Sequence, residues 1–152
     1  EFADIKCSVC KSTYPIMHKI NANFKDKVKI IFRNFPIESA HPGANKLAQL
    51  GVCANEQGKF WEIHDYLFTN QNELPDSIDN SYFLSVGEKL GLDIKKLTMC
   101  IDDNKTVSKV NDDFSLGSSL GLQGTPTFFV NGEMVEGEVP WETWKKFFEQ
   151  YN

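Results

Sequence analysis

Nothing in this 152-residue chain approaches the roughly 20 consecutive apolar residues that a helix needs to cross a bilayer, and no secretory signal pattern opens it. A basic surface is missing too. The 16 Lys and Arg stand against 21 Asp and Glu, for a formal net charge of −5, and no run of Lys or Arg offsets this. The balance argues against nucleic acid or anionic membrane as the main partner, since both require clustered positive charge. Histidine is scarce: His18, His41 and His64 are the three, and none accompanies a serine and an acid in a triad-like arrangement. His64 is expected to pack with a hydrogen bond, and His41-Pro42 reads as loop or cap. Internal repeats and low-complexity segments are absent as well, and nothing in the sequence fixes an oligomeric state.

What is present suffices for one compact domain with a core, 41% of residues being hydrophobic. Glu1 to Lys6 reads as a strand end and Lys11 to Phe24 as a helix with Met17, Ile20 and Phe24 on one face. Pro15 is expected to kink that helix. Val28 to Phe35 is β-branched and aromatic and reads as a buried strand parallel to the first, completing a β-α-β crossover. From Ile37 to about Leu120 the period is helical, carried by Leu47, Leu50, Cys53 and Ala54, then Phe60, Ile63, His64, Leu67 and Phe68. The pattern continues through Phe83, Val86 and Leu90, then Leu97, Cys100 and Ile101, then Val107, Val110 and Phe114. After Gly121 strands return, Thr127 to Asn131 and Glu133 to Gly137, joined through Asn131-Gly132, a strong hairpin signal. Pro140 opens a last helix with Trp141, Trp144, Phe148 and Tyr151 on one face.

The chemistry concentrates at Cys7-Ser8-Val9-Cys10, where a strand gives way to a helix. Two cysteines three apart close a small disulfide, and the N–H groups and dipole at the helix start stabilise a thiolate there. Cys7 then reads as the nucleophile, exposed and ionisable, and Cys10 as the shielded resolving thiol. Half a zinc site or an inert pair has the same spacing, and both remain alternatives. Neither Ser8 nor Val9 is basic, so the thiolate lacks a charged partner between the cysteines and the couple is expected to be less oxidising.

Glu1 six positions before Cys7, Pro15 eight after it, Gln57-Gly58-Lys59-Phe60-Trp61-Glu62-Ile63-His64-Asp65, and Gly124-Thr125-Pro126-Thr127-Phe128-Phe129-Val130-Asn131-Gly132 together resemble the thioredoxin superfamily. Within it the chain is most similar to the DsbA-like disulfide oxidoreductases that carry a helical insertion. The resemblance implies an α/β thioredoxin fold, a central mixed sheet flanked by helices, with residues 1–36 and 121–152 forming that domain and residues 37–120 an inserted all-helical subdomain.

It also implies roles. Cys7 and Cys10 exchange disulfides with unfolded or partly folded polypeptides, and a redox-recycling partner, membrane-bound, resets them. Thr125 and a cis Pro126 dock the substrate backbone. Glu1 matches a buried acid behind the disulfide, and Cys53 and Cys100 match a structural disulfide carried by some relatives. Two separate buried thiols or a zinc site are the other readings of that second pair. No cofactor and no metal is expected. The implied location is extracytoplasmic, in the periplasm or cell envelope, with the signal or anchor segment outside the given chain and Glu1 opening a mature or trimmed form. The competing function is a non-catalytic thioredoxin-fold module that binds a partner or metal through its cysteines.

Overall fold

Short strands at the two ends of an early helix start the fold. In the computed structural model, which describes residues 1–75 and 77–150, Phe2–Ala3 forms β1 and Arg33–Asn34 forms β2, parallel with Phe2 opposite Arg33. Between them runs α1, Ser8–Phe24, with Met17, Ile20 and Phe24 on one buried face, as a 3.6-residue period places them. It starts three residues before Lys11, so the C-x-x-C lies in its first turn, and Pro15 sits inside it without ending it.

β3 (Thr127–Val130) and β4 (Glu133–Glu136) form an antiparallel hairpin. Asn131 and Gly132 turn it at φ of 52° and 90°, the positive values that a two-residue turn between twisted strands requires. β3 also pairs antiparallel with β1, giving a mixed sheet in the order β2-β1-β3-β4. Strand alternation sends Phe128 and Phe129 to opposite faces. Phe128 meets α1 and α7 (Trp141–Glu149) in a core of Met17, Ile20, Phe24, Trp144 and Phe148, with Trp141 half-buried at its rim. Phe129 joins Phe2, Phe35 and Leu122 on the other side. Tyr151, expected on the α7 face, lies outside the described residues.

Among the described residues five α-helices separate β2 from β3: α2 (Ala44–Asn55), α3 (Phe60–Thr69), α4 (Asn80–Lys89), α5 (Ile94–Ile101) and α6 (Asn104–Ser119). Asp79, Asp93 and Asp103 cap the last three by accepting N–H bonds from Tyr82, Lys96 and Lys105, each worth about 1 kcal/mol. The apolar faces of α2 to α5, including Leu50, Ile63, Phe68, Phe83 and Leu97, share one cluster with Ala3, Ile5, Cys7 and Cys10. The helical core therefore continues directly into the turn that carries the first cysteine pair.

Two expectations are corrected. Residues 28–35 are not a buried strand: only Arg33–Asn34 pair, Val28, Ile30 and Phe32 are half-buried, and Lys29, Ile31 and Arg33 are exposed. The segment borders the sheet with one face solvated, and its ladder with β1 ends where the α-ammonium of Glu1 donates to the Ile31 carbonyl at 2.8 Å. On α6 the buried positions are Thr106, Val110 and Gly117, while Val107 and Phe114 are exposed. Thr106 turns inward because its hydroxyl donates to the Cys100 carbonyl, and Gly117 because a Cβ there would come within 2.6 Å of the Phe35 ring.

Candidate active site

A tight turn presents the first cysteine pair. Cys7 N–H donates to the Asp4 carbonyl at 3.1 Å, and Cys7 then takes extended backbone as the residue that caps α1. Asp, Asn, Ser or Thr in that place would offer an oxygen to the unpaired N–H groups of the first turn. A thiol there makes no such bond, which leaves those donors for a thiolate.

Cys7 is 7% exposed and Cys10 0%. The expected order of shielding is there, but Cys7 is more enclosed than a freely exposed nucleophile because the segment before Pro126 lies against it. Cys7 Sγ donates to the Thr125 carbonyl at 3.5 Å, and the Thr125–Pro126 peptide bond is cis.

The two thiols titrate far apart. Cys7 is pulled down to about 5, first by a hydrogen bond from the Cys10 thiol, then by the Thr125 side chain and the N–H groups of Cys10 and Val9, against burial, which pushes it up. Cys10 is driven well above the ordinary thiol range, first by holding its proton against the Cys7 sulfur and then by burial, against the opposing pull of the Asp4 N–H and the Thr125 side chain. The helix start thus contributes, as expected, but the largest stabiliser of the Cys7 thiolate is its partner thiol. The Thr125 hydroxyl is buried with no hydrogen-bond partner among the described residues, so its proton is free to turn toward a sulfur anion.

The site residues are not all gathered. Cys7, Cys10, Thr125 and Pro126 meet at one place. Glu1 faces a separate cavity of about 420 Å³ walled by Met17, Ile20, Phe128, Trp144 and Phe148. Those apolar walls push its carboxyl up to about 7, and it is not among the groups that perturb either thiol. Cys53 and Cys100 are joined to each other, with Cα atoms 5.7 Å apart, between α2 and α5.

Three residues to which the sequence reading gave no part in the site shape the turn. Asp4, fully buried, accepts from Lys6 N–H and Ile37 N–H, both at 2.8 Å, and pairs with His41 Nδ1 at 2.8 Å. His41 is therefore more than a loop cap, since it supports the acid three residues before Cys7. Gln71 Nε2 donates to the carbonyls of Ile5 and Cys7. Asp4 carries no local signal of its burial, since the acid the sequence pointed to was Glu1, and Gln71 lies 64 residues from Cys7 with no signal either. His64 is buried, donates from Nδ1 to the Asp65 carboxylate at 2.8 Å, and is held below its ordinary range by that burial, in keeping with a packing role.

A protein-family model described as Thioredoxin matches residues 1–150. Among curated proteins, "Na(+)/H(+) antiporter NhaA 1" of Mycolicibacterium gilvum (strain PYR-GCK) is 32% identical in an alignment of 145 residues that covers 93% of this chain and 22% of that protein. The chain spans about a fifth of the length of the curated relatives it matches. Among solved structures, the thiol-disulfide exchange protein alpha-DsbA2 from Wolbachia pipientis superposes with a TM-score of 0.81 at 21% identity, covering 99% of this chain and 79% of that one. Alpha-DsbA1 of Wolbachia pipientis gives 0.82 at 22% identity, covering 98% and 82%.

Proposed function

We propose, for a chain that belongs to the thioredoxin family and has the fold of DsbA-type thiol-disulfide exchange proteins, that Cys7 and Cys10 exchange disulfides with polypeptide substrates. The observation that carries the reading is the geometry of the pair: Cys7 caps α1 with its sulfur against the Thr125 carbonyl, three residues from a fully buried Cys10, an arrangement that pulls Cys7 down and drives Cys10 up and so separates the two thiols. An inert pair has no need of that separation.

In the oxidising direction a substrate thiolate attacks Cys7 Sγ of the Cys7–Cys10 disulfide. The S–S bond breaks, and its electron pair leaves on Cys10, which takes up a proton. A second substrate thiolate attacks the substrate sulfur of the mixed disulfide, and Cys7 departs as the stable thiolate. The substrate is oxidised by two electrons and the Cys7–Cys10 pair reduced by two. The reducing direction runs the same steps backward. Thr125 and Pro126, lying against Cys7, supply the edge on which an extended substrate backbone docks, and Glu1, in its separate cavity, takes no part in the exchange.

In this reading residues 37–120 are a helical insertion into a domain made by residues 1–36 and 121–152. A membrane-bound redox partner resets the pair. The extracytoplasmic compartment, periplasm or cell envelope, is supported by the Cys53–Cys100 disulfide, since such bonds persist in oxidising surroundings. The direction of net traffic follows from the potential and that partner.

Alkylating the reduced protein near pH 6 tests the proposal: Cys7 is labelled first, and the purified protein catalyses thiol reduction of insulin or oxidation of a reduced peptide. Faster labelling of Cys10, or no exchange, refutes it. The latter outcome favours a non-catalytic binding module, a reading supported by the match to one fifth of larger proteins named as antiporters.

A further inference from the structure

The turn that carries Cys7 is gripped from outside by a residue that the exchange chemistry does not use. Gln71 begins a single 3₁₀ turn, Gln71–Glu73, directly after α3. Its Nε2 donates to the Ile5 carbonyl at 2.6 Å and to the Cys7 carbonyl at 3.0 Å. Both partners are pure acceptors, so the amide must face them with its NH₂ group, and each hydrogen has one carbonyl. Neighbouring contacts hold the same join: Lys6 Nζ reaches the Pro42 and Pro75 carbonyls, and Lys11 Nζ the Asn72 side chain.

We propose that Gln71 is a positioning residue for Cys7, fixing the peptide plane after Cys7 so that its sulfur stays over the N–H groups of the first helical turn. The Cys7 carbonyl and the Ser8 N–H share that plane. Holding the carbonyl holds ψ of Cys7, observed at 123°, and with it the direction of the sulfur relative to the Val9 and Cys10 N–H groups that favour the thiolate. Asp4 secures the turn from the inside, through the Cys7 N–H to its carbonyl and through its carboxylate, while Gln71 secures it from the helical side. Losing Gln71 leaves the Ile5 carbonyl without this donor and leaves the Cys7 carbonyl held only by the Lys11 N–H at 3.1 Å, among the described residues, so that the Cys7 plane can tilt.

The inference rests on the reading of Cys7 as the reacting thiol, and the two fail separately. In the reduced protein, thiolate absorbance followed from pH 3 to 9 gives the Cys7 titration, and equilibrium with glutathione gives the redox balance. Gln71→Leu removes both donors at similar volume, and Gln71→Asn keeps an amide too short to reach both carbonyls. Each is expected to lower the Cys7 ionisation constant roughly three- to tenfold, the scale of one lost hydrogen bond, and to make the pair less oxidising. Gln71→Glu places a carboxylate against two carbonyls and shifts the titration further in the same direction. Cys7 titrations in the Leu and Asn variants that overlay the wild type overturn the proposal, even where the melting temperature falls, because a merely structural residue behaves that way. A wild-type protein with no low-pH thiolate and no exchange refutes the functional reading instead.

Discussion

Cys7 and Cys10 at the start of α1 are 7% and 0% exposed, and Cys53 and Cys100 between α2 and α5 are 0% and 8% exposed. Burial alone does not tell the pairs apart, but their neighbours do. The first pair sits where a helix begins and its N–H groups are unspent, with the Val9 and Cys10 N–H groups favouring a Cys7 anion and a buried Thr125 hydroxyl free to turn toward it. The second sits within helices, where backbone donors are already used. The polar group beside it is the Thr106 hydroxyl, 3.3 Å from Cys100 Sγ and 3.9 Å from Cys53 Sγ, whose proton goes to the Cys100 carbonyl. A sulfur becomes reactive where donors await an anion, and a disulfide beside satisfied donors serves as a cross-link.

Exchanging the lesions between the pairs gives the largest effect. Cys7→Ser is expected to abolish exchange in an insulin assay while leaving the melting temperature within a few degrees, since a hydroxyl fits the capping position. Cys53→Ser with Cys100→Ser is expected to do the reverse. The bond spans 47 residues, so its loss removes about 4 kcal/mol of chain-entropy stabilisation and on the order of 10 °C of melting temperature. Turnover at 25 °C should change little. Loss of activity in the double serine variant under conditions where it is folded breaks the division of labour.

The next test is the pH dependence of the Cys7–Cys10 potential. Below about pH 5 both thiols are protonated in the reduced form, so two protons accompany two electrons and the potential falls by about 59 mV per pH unit. Above that value Cys7 is ionised and Cys10 is not, one proton accompanies two electrons, and the slope halves to about 30 mV. Linkage has the same sign. The folded pKa of Cys7 is depressed, so its contribution to the stability of the reduced form is fully present above the unfolded thiol range and is lost as pH falls toward 5. A slope of about 59 mV per pH unit held from pH 4 to 8 contradicts the split between the thiols.

The comparison also marks what the sequence could carry. The α1 face, the Asn131-Gly132 turn and the helical run between the strands follow from period and turn chemistry, which are local. The C-x-x-C at a helix start is local too. Residues 28–35 misled because β-branched composition reports a strand without reporting whether both faces are covered. On α6, Val107 and Phe114 misled because hydrophobicity ranked them above Thr106 and Gly117. The helix instead faces its neighbours with a hydroxyl that has an assigned acceptor and a glycine that has no room for a side chain. Gln71 and His41 were out of reach for a different reason. Each earns its place by reaching a group 64 and 37 residues away, and no pattern along the chain encodes such a contact.

The smallest effect, and the finest test of how donors set the chemistry, concerns Val9. Its N–H is one of the groups that favour the Cys7 thiolate, yet its side chain, 39% exposed, adds neither hydrogen bond nor charge. An oxidant is strong when its reduced form is stabilised, so a site that lacks a basic residue between the cysteines should be the weaker oxidant. Val9→His is expected to lower the Cys7 pKa further and raise the potential, by about 30 mV for each tenfold gain in thiolate stability. Attraction by an imidazolium would make the gain larger at pH 5.5 than at pH 8, where the ring is neutral and offers only a hydrogen bond. Val9→Gln isolates that hydrogen bond at every pH. A potential that rises equally in both variants assigns the effect to donation and not to charge. A potential unmoved in either shows that the partner thiol and the backbone already saturate the Cys7 sulfur, and the dipeptide then has no hold on the direction of exchange.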